Sequence, residues 1–169
     1  MPQAFQSYKP RHLRVYGAIC INSTGFVLLV RGRKSQKWSF PKGHCKQHES
    51  DIQCARRELF EETGLIAPET FLSSHKLRGG EYFIFPIEQS EPFLPIIQDS
   101  WEIEEVAWWP LHTLPEISNI DVSIFRTLMK HSKVEDPVLQ YINSPEAYTR
   151  VSSIKQTIEK SMNVTKEHL

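Results

Sequence analysis

Four glutamates are crowded into one stretch of this chain, GHCKQHESDIQCARRELFEETGL. They are Glu49, Glu58, Glu61 and Glu62, and the last three have the i, i+3, i+4 spacing that puts side chains on one face of a helix. Carboxylates this close repel one another and raise one another's pKa, and a cation between them relieves that repulsion. Hard divalent ions such as Mg²⁺ bind one or two protein carboxylates together with water and substrate phosphates. The spacing therefore predicts a divalent metal site.

A helix must hold these glutamates, and the sequence supplies signals for both of its ends. Ser50 and Gln53 have the spacing of a capping box, which predicts a start at Ser50, and Gly64 predicts the stop. Apolar residues at i, i+3 and i+7 give this helix a core-facing side: Ile52, Ala55 and Leu59. The glutamates then lie at the edge of the core, where a cleft can open. Cys54 is expected to face away from the apolar side.

Strands and further helices are expected on either side of this segment. Apolar and β-branched runs separated by turn-forming residues predict strands at 14–21, 26–30, 38–40, 71–77, 82–85 and 102–109. Helical spacing of apolar residues predicts helices at 122–131 and 145–162. This order predicts an α+β fold, a mixed β-sheet sandwich flanked by helices. We expect an N-terminal extension at 1–13, one globular domain at 14–132, and a C-terminal helical extension, packed on or following that domain, at 133–169.

Charge is unevenly distributed along the chain although its net value is zero. Residues 1–49 hold nine Lys or Arg against one Asp or Glu, whereas residues 50–121 hold four against fourteen. A basic part beside an acidic part suits a phosphate-rich substrate held by the first and a metal held by the second. The candidate phosphate or RNA contacts precede the glutamate-rich helix: Arg31, Arg33, Lys34, Lys37 and Lys42. The alternative is an ordinary solvated loop.

Cysteine content and hydropathy bear on the compartment. The three cysteines form an odd set without metal-type pairing, which predicts free thiols in a reducing compartment. No charged-then-apolar leader opens the chain, and its longest clean apolar run, residues 26–30, is far too short to cross a bilayer. We therefore expect a soluble, cytoplasmic protein that has no membrane partner.

Tryptophans offer a second kind of substrate contact. Trp38, Trp108 and Trp109 lie in predicted strands, where a tryptophan usually belongs to the core. The alternative is stacking on a nucleobase, since a methylated purine is cationic and prefers aromatic faces.

The glutamate-rich stretch matches the Nudix box of the Nudix hydrolase superfamily at every defined position. The pattern has nine positions at fixed spacing, which here are Gly43, Glu49, Arg57, Glu58, Leu59, Glu61, Glu62, Gly64 and Leu65. The resemblance covers about residues 15–115 and implies the Nudix fold. It also implies hydrolysis of a nucleoside diphosphate linked to another group, with two or three Mg²⁺ or Mn²⁺ ions as cofactor.

The resemblance also implies roles for the box residues. Metal ligands are implied at Glu58, Glu61, Glu62 and the backbone carbonyl near Lys42 or Gly43. Glu61 and Glu62 are the main ligands in this view, and Glu58 is a further ligand or the catalytic base. Arg57 is implied to pair with a box glutamate, Glu49, and so to orient the loop.

A finer resemblance is to the catalytic domain of the eukaryotic mRNA-decapping Nudix enzymes. It rests on YGAI at 16–19, WSFPKG at 38–43, ESDIQCA at 49–55, and Glu102-Ile103 six residues before Trp108. In those enzymes a glutamate at the start of the last strand is a metal ligand or the general base. Here that residue is Glu102, and Glu104, which shares its strand face, is the second choice. Few residues precede the first strand, which fits a stand-alone form of the kind that some large DNA viruses encode.

These resemblances imply a metal-dependent pyrophosphohydrolase that acts on capped RNA. It would release the capping nucleoside diphosphate and a 5′-monophosphate RNA. The PKGH segment at 41–44 also resembles the box entry of dinucleoside polyphosphate hydrolases, and related boxes occur in diphosphoinositol polyphosphate hydrolases. A further alternative is a binding module that keeps the fold without catalysis, although the intact box argues against it.

Overall fold

Seven strands form one mixed sheet in the computed structural model, which describes residues 14–88, 94–133 and 136–143. The strands are β1 (Val15–Asn22), β2 (Phe26–Gly32), β3 (Trp38–Ser39), β4 (Lys42–His44), β5 (Ser73–Lys76), β6 (Glu81–Ile87) and β7 (Ile103–Pro110). The central path runs β3-β2-β1-β6-β5, with β4 paired to β1 and β7 paired to β2. The β1–β6 pair is parallel and the other pairs are antiparallel. The sheet is therefore mixed, as predicted.

Helices cover both faces of this sheet. They are α1 (Asp51–Thr63), α2 (Ile120–His131) and α3 (Pro137–Asn143). α1 buries Cys54, Ala55 and Leu59 in an apolar cluster on one face, whereas α2 and α3 bury Phe125 and Val138 in a second cluster on the other. This arrangement confirms the predicted α+β class with helices on both sides. In the described ranges, no helix has the length and apolar character needed to cross a membrane.

α1 begins and ends where the sequence predicts. The Ser50 hydroxyl accepts from the Gln53 backbone N–H at 3.2 Å, and the Gln53 side-chain oxygen accepts from the Ser50 N–H at 2.9 Å. Gly64 has a φ of 79°, and its N–H donates to the Phe60 carbonyl oxygen at 2.8 Å. A left-handed residue at this position favours glycine, since other residues meet a steric penalty there. The predicted capping box and glycine stop are both confirmed.

β4 is a strand that the sequence does not reveal, because Pro41 and Gly43 favour a break in regular structure. It pairs antiparallel with β1, and Gly17 lies opposite Lys42. A Cβ at Gly17 would come within 2.5 Å of the Pro41 carbonyl oxygen and 2.8 Å of the Lys42 Cβ, so a glycine is needed for this close approach. The pairing sets the first residues of the box beside α1.

Several element ends differ from the prediction for local reasons. β6 continues through Pro86; β5 pairs with β6 only as far as Ile84, so the proline removes no ladder bond on that side. α2 begins at Ile120 because the Asn119 side chain accepts from the Val122 N–H at 3.2 Å and caps the helix earlier. α3 was not predicted, and the helix predicted at 145–162 lies outside the described residues.

The expectation for Cys54 is wrong. Its side chain is fully buried among the apolar residues beneath α1. A helix that lies on a sheet buries a broader arc than the triplet of apolar residues indicated. Burial raises the pKa of the Cys54 thiol. The three cysteines are free and buried, in agreement with the prediction of free thiols.

Candidate active site

Two glutamates of α1 are buried against the sheet, although carboxylates ordinarily lie in water. Glu62 is 3% exposed and Glu58 is 9% exposed, whereas Glu61 is more open. The Lys42 backbone N–H donates to Glu62 Oε2 at 3.3 Å. Gly43 lies against Glu58, and a Cβ at this glycine would overlap the carboxylate. β4 and the C-terminal half of α1 therefore enclose a narrow acidic site.

The buried acids hold protons more tightly than free glutamates do. Loss of water raises the pKa of Glu62 well above its ordinary value, and the negative charge of Glu58 adds to the rise. Burial likewise raises the pKa of Glu58, although Arg57 opposes this. The charge of Glu102 contributes to both increases, so this carboxylate belongs to the same electrostatic cluster. A cation bound here would relieve the repulsion.

Arg57 connects the loop before α1 to the acidic cluster. Its Nε and Nη2 donate to the two carboxylate oxygens of Glu49 at 2.7 and 3.0 Å, which makes a bidentate ion pair. Its Nη1 donates to Glu58 Oε1 at 2.9 Å and to Glu61 Oε2 at 3.0 Å, and Nη2 donates to the His44 carbonyl oxygen at 2.9 Å. The guanidinium lowers the pKa of Glu49. The contact between Arg57 and Glu49 is the one that the sequence indicated.

The α1 carboxylates are neighbours that do not form a closed coordination shell. Within the described part of the chain, the one group of three possible metal-binding side chains with ligand atoms within 4.8 Å of one another is Cys45, Glu49 and Cys54. Its two thiols are core residues, and its carboxylate is held by Arg57. The three α1 acids do not form such a group, and two of them, Glu58 and Glu61, share a hydrogen bond donor, Nη1 of Arg57. Their oxygen donors and their burial suit a hard divalent ion rather than a thiophilic one.

The segment before β7 is tied to the end of α1. The N–H groups of Gln98 and Asp99 donate to the Glu61 carbonyl oxygen at 2.9 and 3.1 Å. The Glu102 N–H donates to the Asp99 carbonyl oxygen at 3.2 Å and closes a turn, and the Arg33 N–H donates to the Glu102 carbonyl oxygen at 2.8 Å. These bonds hold Glu102 beside the acidic cluster while its side chain stays exposed. The sequence carries no signal for these long-range backbone contacts.

Part of the predicted substrate surface is engaged in contacts between β2 and β7. Arg31 Nη2 lies 2.7 Å from Glu105 Oε2, and the Arg31 guanidinium lies 5.7 Å from the centroid of the Trp38 ring. The Gln36 side-chain amide donates to Glu104 Oε2 at 2.6 Å. Arg31 and Glu104 therefore both make contacts within the protein at this part of the sheet.

The remaining basic candidates are more accessible. Arg33 donates its Nε to the Ser100 carbonyl oxygen at 2.9 Å and is exposed. The side chains of Lys34 and Lys37 are exposed and form no ion pair within the part of the chain that the structure describes. Lys42 is half-buried in β4. Of the five predicted basic residues, Arg31 is therefore held in an ion pair, Lys42 lies half-buried in β4, and Arg33, Lys34 and Lys37 lie in an open loop.

The tryptophans of the predicted strands pack in or against the core, which favours the structural alternative over base stacking: Trp38 is buried, and Trp108 and Trp109 are half-buried. Trp38 and Trp109 meet edge to face with ring centroids 5.2 Å apart, and Trp108 packs against the cluster beneath α1. The sequence did not single out Trp101, which is 87% exposed and directly precedes Glu102.

A buried pair beneath the site was also missed. Asp121, at the start of α2, is 1% exposed and accepts from the Tyr82 hydroxyl at 2.5 Å and from the Gly79 N–H at 2.8 Å. Burial raises the pKa of Tyr82, and the charges of Asp121 and Glu62 add to this effect. The pair anchors α2 to the β5–β6 turn and lies close enough to Glu62 to respond to its charge. An acid in the first turn of a helix ordinarily indicates only a favourable helix dipole.

The shifted pKa values predict how stability depends on pH without metal. Glu58 and Glu62 bind protons more tightly when folded, so their contribution to the free energy of unfolding falls as pH rises from the ordinary glutamate pKa of about 4.3 through the raised values. Glu49 has a lowered pKa, so it stabilises the folded state above the ordinary glutamate pKa. That stabilisation is lost only at more acidic pH, as the pH falls through the lowered pKa of Glu49. In EDTA, we expect the melting temperature of the wild type, relative to a Glu58→Gln/Glu62→Gln variant, to decrease as pH rises above about 4.5. A difference in melting temperature between the two proteins that does not change with pH would contradict the raised pKa values of Glu58 and Glu62.

Comparison with known proteins identifies the family. A NUDIX domain profile matches residues 11–128. Over 123 residues the chain is 36% identical to mRNA-decapping enzyme subunit 2 of Arabidopsis thaliana, an alignment that covers 68% of this chain and 32% of that protein. Over 138 residues it is 33% identical to the m7GpppN-mRNA hydrolase of Saccharomyces cerevisiae, with coverage of 76% and 14%. The chain therefore spans a third or less of the length of these relatives.

A solved structure shows the same fold. The chain is similar to a MutT NUDIX hydrolase from Burkholderia pseudomallei with a TM-score of 0.54 and 20% identity, over 71% of this chain and 98% of that one. Nudix enzymes generally use divalent metals such as Mg²⁺ or Mn²⁺, which the oxygen donors and burial of the α1 acids fit. The intact box on α1, the mixed sheet between helices and the matched domain profile together show that the chain belongs to the Nudix hydrolase family.

Proposed function

We propose that the chain is a metal-dependent Nudix pyrophosphohydrolase that removes the 5′ cap of mRNA in the cytoplasm. It cleaves a phosphoanhydride bond and releases the capping nucleoside diphosphate and a 5′-monophosphate RNA. The observation that carries the proposal is the acidic cluster in which Glu58 and Glu62 are buried and Glu102 adds its charge. The similarity to proteins named mRNA-decapping enzyme subunit 2 and m7GpppN-mRNA hydrolase supports capped mRNA as the substrate.

The acidic cluster is the proposed cofactor site. Two or three Mg²⁺ or Mn²⁺ ions would be held by oxygen atoms of Glu58, Glu61, Glu62 and the backbone of Lys42 or Gly43. Such ions neutralise phosphate oxygens and lower the pKa of the attacking water. Arg57 supports the site from one side, because its bonds to Glu58 and Glu61 orient both carboxylates while Glu49 fixes the guanidinium.

We assign Glu102 as the base that accepts the proton of the attacking water. The water oxygen bonds to the phosphorus that bears the RNA, and the bond from that phosphorus to the departing nucleoside diphosphate breaks. The exposed Glu102 carboxylate stands beside the cluster, whereas Glu104 accepts from Gln36 and Glu58 accepts from Arg57. Glu102 is therefore the carboxylate with the freest access to a substrate.

This assignment predicts opposite outcomes for two neighbouring glutamates. Glu102→Gln should lower kcat by about 10²–10⁴-fold with little change in the Kd for substrate, because an amide cannot take the proton. Glu104→Gln should keep most of the activity, since its carboxylate accepts from Gln36 in the basic loop and lies 3.8 Å from Arg31 Nε of β2. Rapid-quench turnover and equilibrium binding of capped RNA would measure both. A larger loss of kcat in Glu104→Gln than in Glu102→Gln would identify Glu104 as the base in place of Glu102.

The open part of the basic loop supports binding of an RNA body. Lys34 and Lys37 are exposed, Arg33 lies against the turn that bears Glu102, and Lys42 lines the site. Lysine and arginine that neutralise phosphates release counterions, so the affinity should fall with salt by a log–log slope of roughly −0.7 per contact on a single strand. We expect binding of capped RNA to be steeply salt-dependent and that of the free cap dinucleotide to be much less so.

A substrate panel tests the proposed function against its alternatives. With Mg²⁺ or Mn²⁺ present, the protein is incubated with cap-labelled RNA, free cap dinucleotide, diadenosine tetraphosphate and a diphosphoinositol polyphosphate. We expect capped RNA to be the best substrate by kcat/KM and to need its RNA body. Equal or faster turnover of a small molecule would identify a small-molecule hydrolase. Binding of capped RNA without turnover of any substrate would identify a catalytically inactive module.

A further inference from the structure

We infer that Trp101 is a stacking platform for the base of the capping nucleotide and that it favours a cationic, N7-methylated purine. The inference rests on the proposed function, since it concerns the group at the end of the polyphosphate. Trp101 is 87% exposed, the greatest exposed fraction of any large apolar side chain that the structure describes. The indole therefore adds nothing to the core, and its open face is available to a ligand.

The backbone around Trp101 is held on both sides. The Ile103 N–H donates to the Asp99 carbonyl oxygen at 3.0 Å, which forms a turn around the tryptophan. The Arg33 side chain donates to the Ser100 carbonyl oxygen at 2.9 Å, and the Arg33 N–H donates to the Glu102 carbonyl oxygen at 2.8 Å. A held backbone reduces the conformational freedom that remains to be lost when a ligand stacks on the side chain.

The turn also lies at the border between the two charged parts of the site. On one side, the N–H groups of Gln98 and Asp99 bond to the carbonyl oxygen of Glu61 in the acidic helix. On the other side, the turn bonds to Arg33 in the basic loop. Trp101 directly precedes Glu102, whose charge acts on the buried acids. In this inference, a nucleotide with its phosphates at the acidic cluster places its purine against this indole.

Charge around Trp101 favours a positive base over a neutral one. Asp99 and Glu102 lie on either side of Trp101 along the chain, and Glu104 follows two residues after Glu102. Arg33 contributes a single positive charge that is held against the Ser100 carbonyl. A cation over an indole face is attracted by the ring quadrupole, and nearby carboxylates add to that attraction. An N7-methylated purine carries this positive charge, whereas an unmethylated purine does not.

Calorimetric titration of 7-methyl-GDP and GDP in Mg²⁺ buffer tests the inference. We expect the wild type to prefer 7-methyl-GDP by about tenfold and Trp101→Ala to lose about tenfold or more of that affinity and most of the preference. Trp101→Phe should keep most of the affinity because it retains an aromatic face. Leu94→Ala, an exposed apolar residue of the same loop, is the matched control and should change neither value.

Two results would overturn the inference: unchanged 7-methyl-GDP affinity in Trp101→Ala, or failure of the wild type to bind 7-methyl-GDP more tightly than GDP. Because these titrations need no turnover, they are separate from the test of the proposed function. If the wild type cleaves capped RNA but binds 7-methyl-GDP and GDP equally well, the proposed function stands and the inference fails. If the wild type does not cleave capped RNA but binds 7-methyl-GDP more tightly than GDP, and Trp101→Ala loses that preference, the inference stands and the proposed function fails.

Discussion

Glu62→Gln is expected to lower kcat by about 10³-fold, since loss of a cation ligand forfeits several kcal/mol of transition-state charge stabilisation. The fold should survive, because a glutamine amide oxygen can still accept from the Lys42 N–H. In metal-free buffer at neutral pH the variant should melt no lower than the wild type. Burial raises the pKa of Glu62, so the wild type is less stable at neutral pH than at acidic pH, and a neutral amide avoids that loss.

A second readout separates metal binding from catalysis in this variant. Saturation with a divalent ion at a hundred times its Kd should stabilise the wild type by about 2.7 kcal/mol. That gain corresponds to a rise in melting temperature of roughly 5–11 °C for a chain of this size. The rise should be largely absent in Glu62→Gln and intact in Glu69→Gln, a control at an exposed carboxylate. Normal activity in Glu62→Gln would exclude this residue as a ligand.

Arg57→Ala is expected to reduce both stability and activity. The guanidinium makes a bidentate pair with Glu49, bridges Glu58 and Glu61, and bonds to the His44 carbonyl. Removal of one partner from such a largely buried pair costs about 3 kcal/mol, at the low end of the usual range. The melting temperature should therefore fall by roughly 6–12 °C. Activity should fall by about 10–100-fold, because the carboxylates lose the group that orients them.

Two variants show whether the geometry of Arg57 matters beyond its charge. Arg57→Lys keeps the charge and loses the planar fork, so it should recover only part of the stability and activity. Arg56→Ala is the matched control on the same helix. It loses a bond to the Glu69 carbonyl oxygen and a contact over Phe85, and should leave kcat nearly unchanged. Thermal melts and kcat of the three variants give the comparison, and full activity in Arg57→Lys would contradict the bracing role.

The sequence was most informative where function depends on local spacing. The Ser50 capping box and Gly64 fixed the limits of α1, because both signals act within a few residues of the chain. Once those limits are known, helical geometry alone brings Glu58, Glu61 and Glu62 to one region. The resemblance to the Nudix box added the partner of Arg57, which the structure shows as a bidentate pair with Glu49.

The sequence was less informative where distant segments meet. β4 depends on Gly17, whose missing side chain gives room for Pro41 and Lys42, and no pattern near β4 indicates that. The sequence suggests that Arg31 contacts substrate and that Glu104 could be the distal carboxylate, whereas the pairing of β2 with β7 places the two side chains 3.8 Å apart. Register across a sheet is set by tertiary packing, so local propensity cannot supply it.

Trp101 and Asp121 were missed for opposite reasons. A tryptophan is ordinarily buried, so the exposure of Trp101 can be known only when the turn around it has been placed. An aspartate is ordinarily exposed, so the burial of Asp121 against Tyr82 depends on how α2 meets the sheet. In both cases the surroundings of the side chain depend on how distant parts of the chain meet, which local spacing does not reveal.

The most direct test of the account is the identity of the products released from RNA labelled at the phosphates of a methylated cap. Purified protein and Mg²⁺ or Mn²⁺ are mixed with this RNA, and the products are resolved by thin-layer chromatography and by the sensitivity of the RNA to a 5′-monophosphate-dependent exonuclease. The account predicts labelled 7-methyl-GDP and an RNA that this exonuclease degrades, with neither formed by Glu62→Gln. Capped RNA that remains intact while diadenosine tetraphosphate is hydrolysed under the same conditions would contradict it.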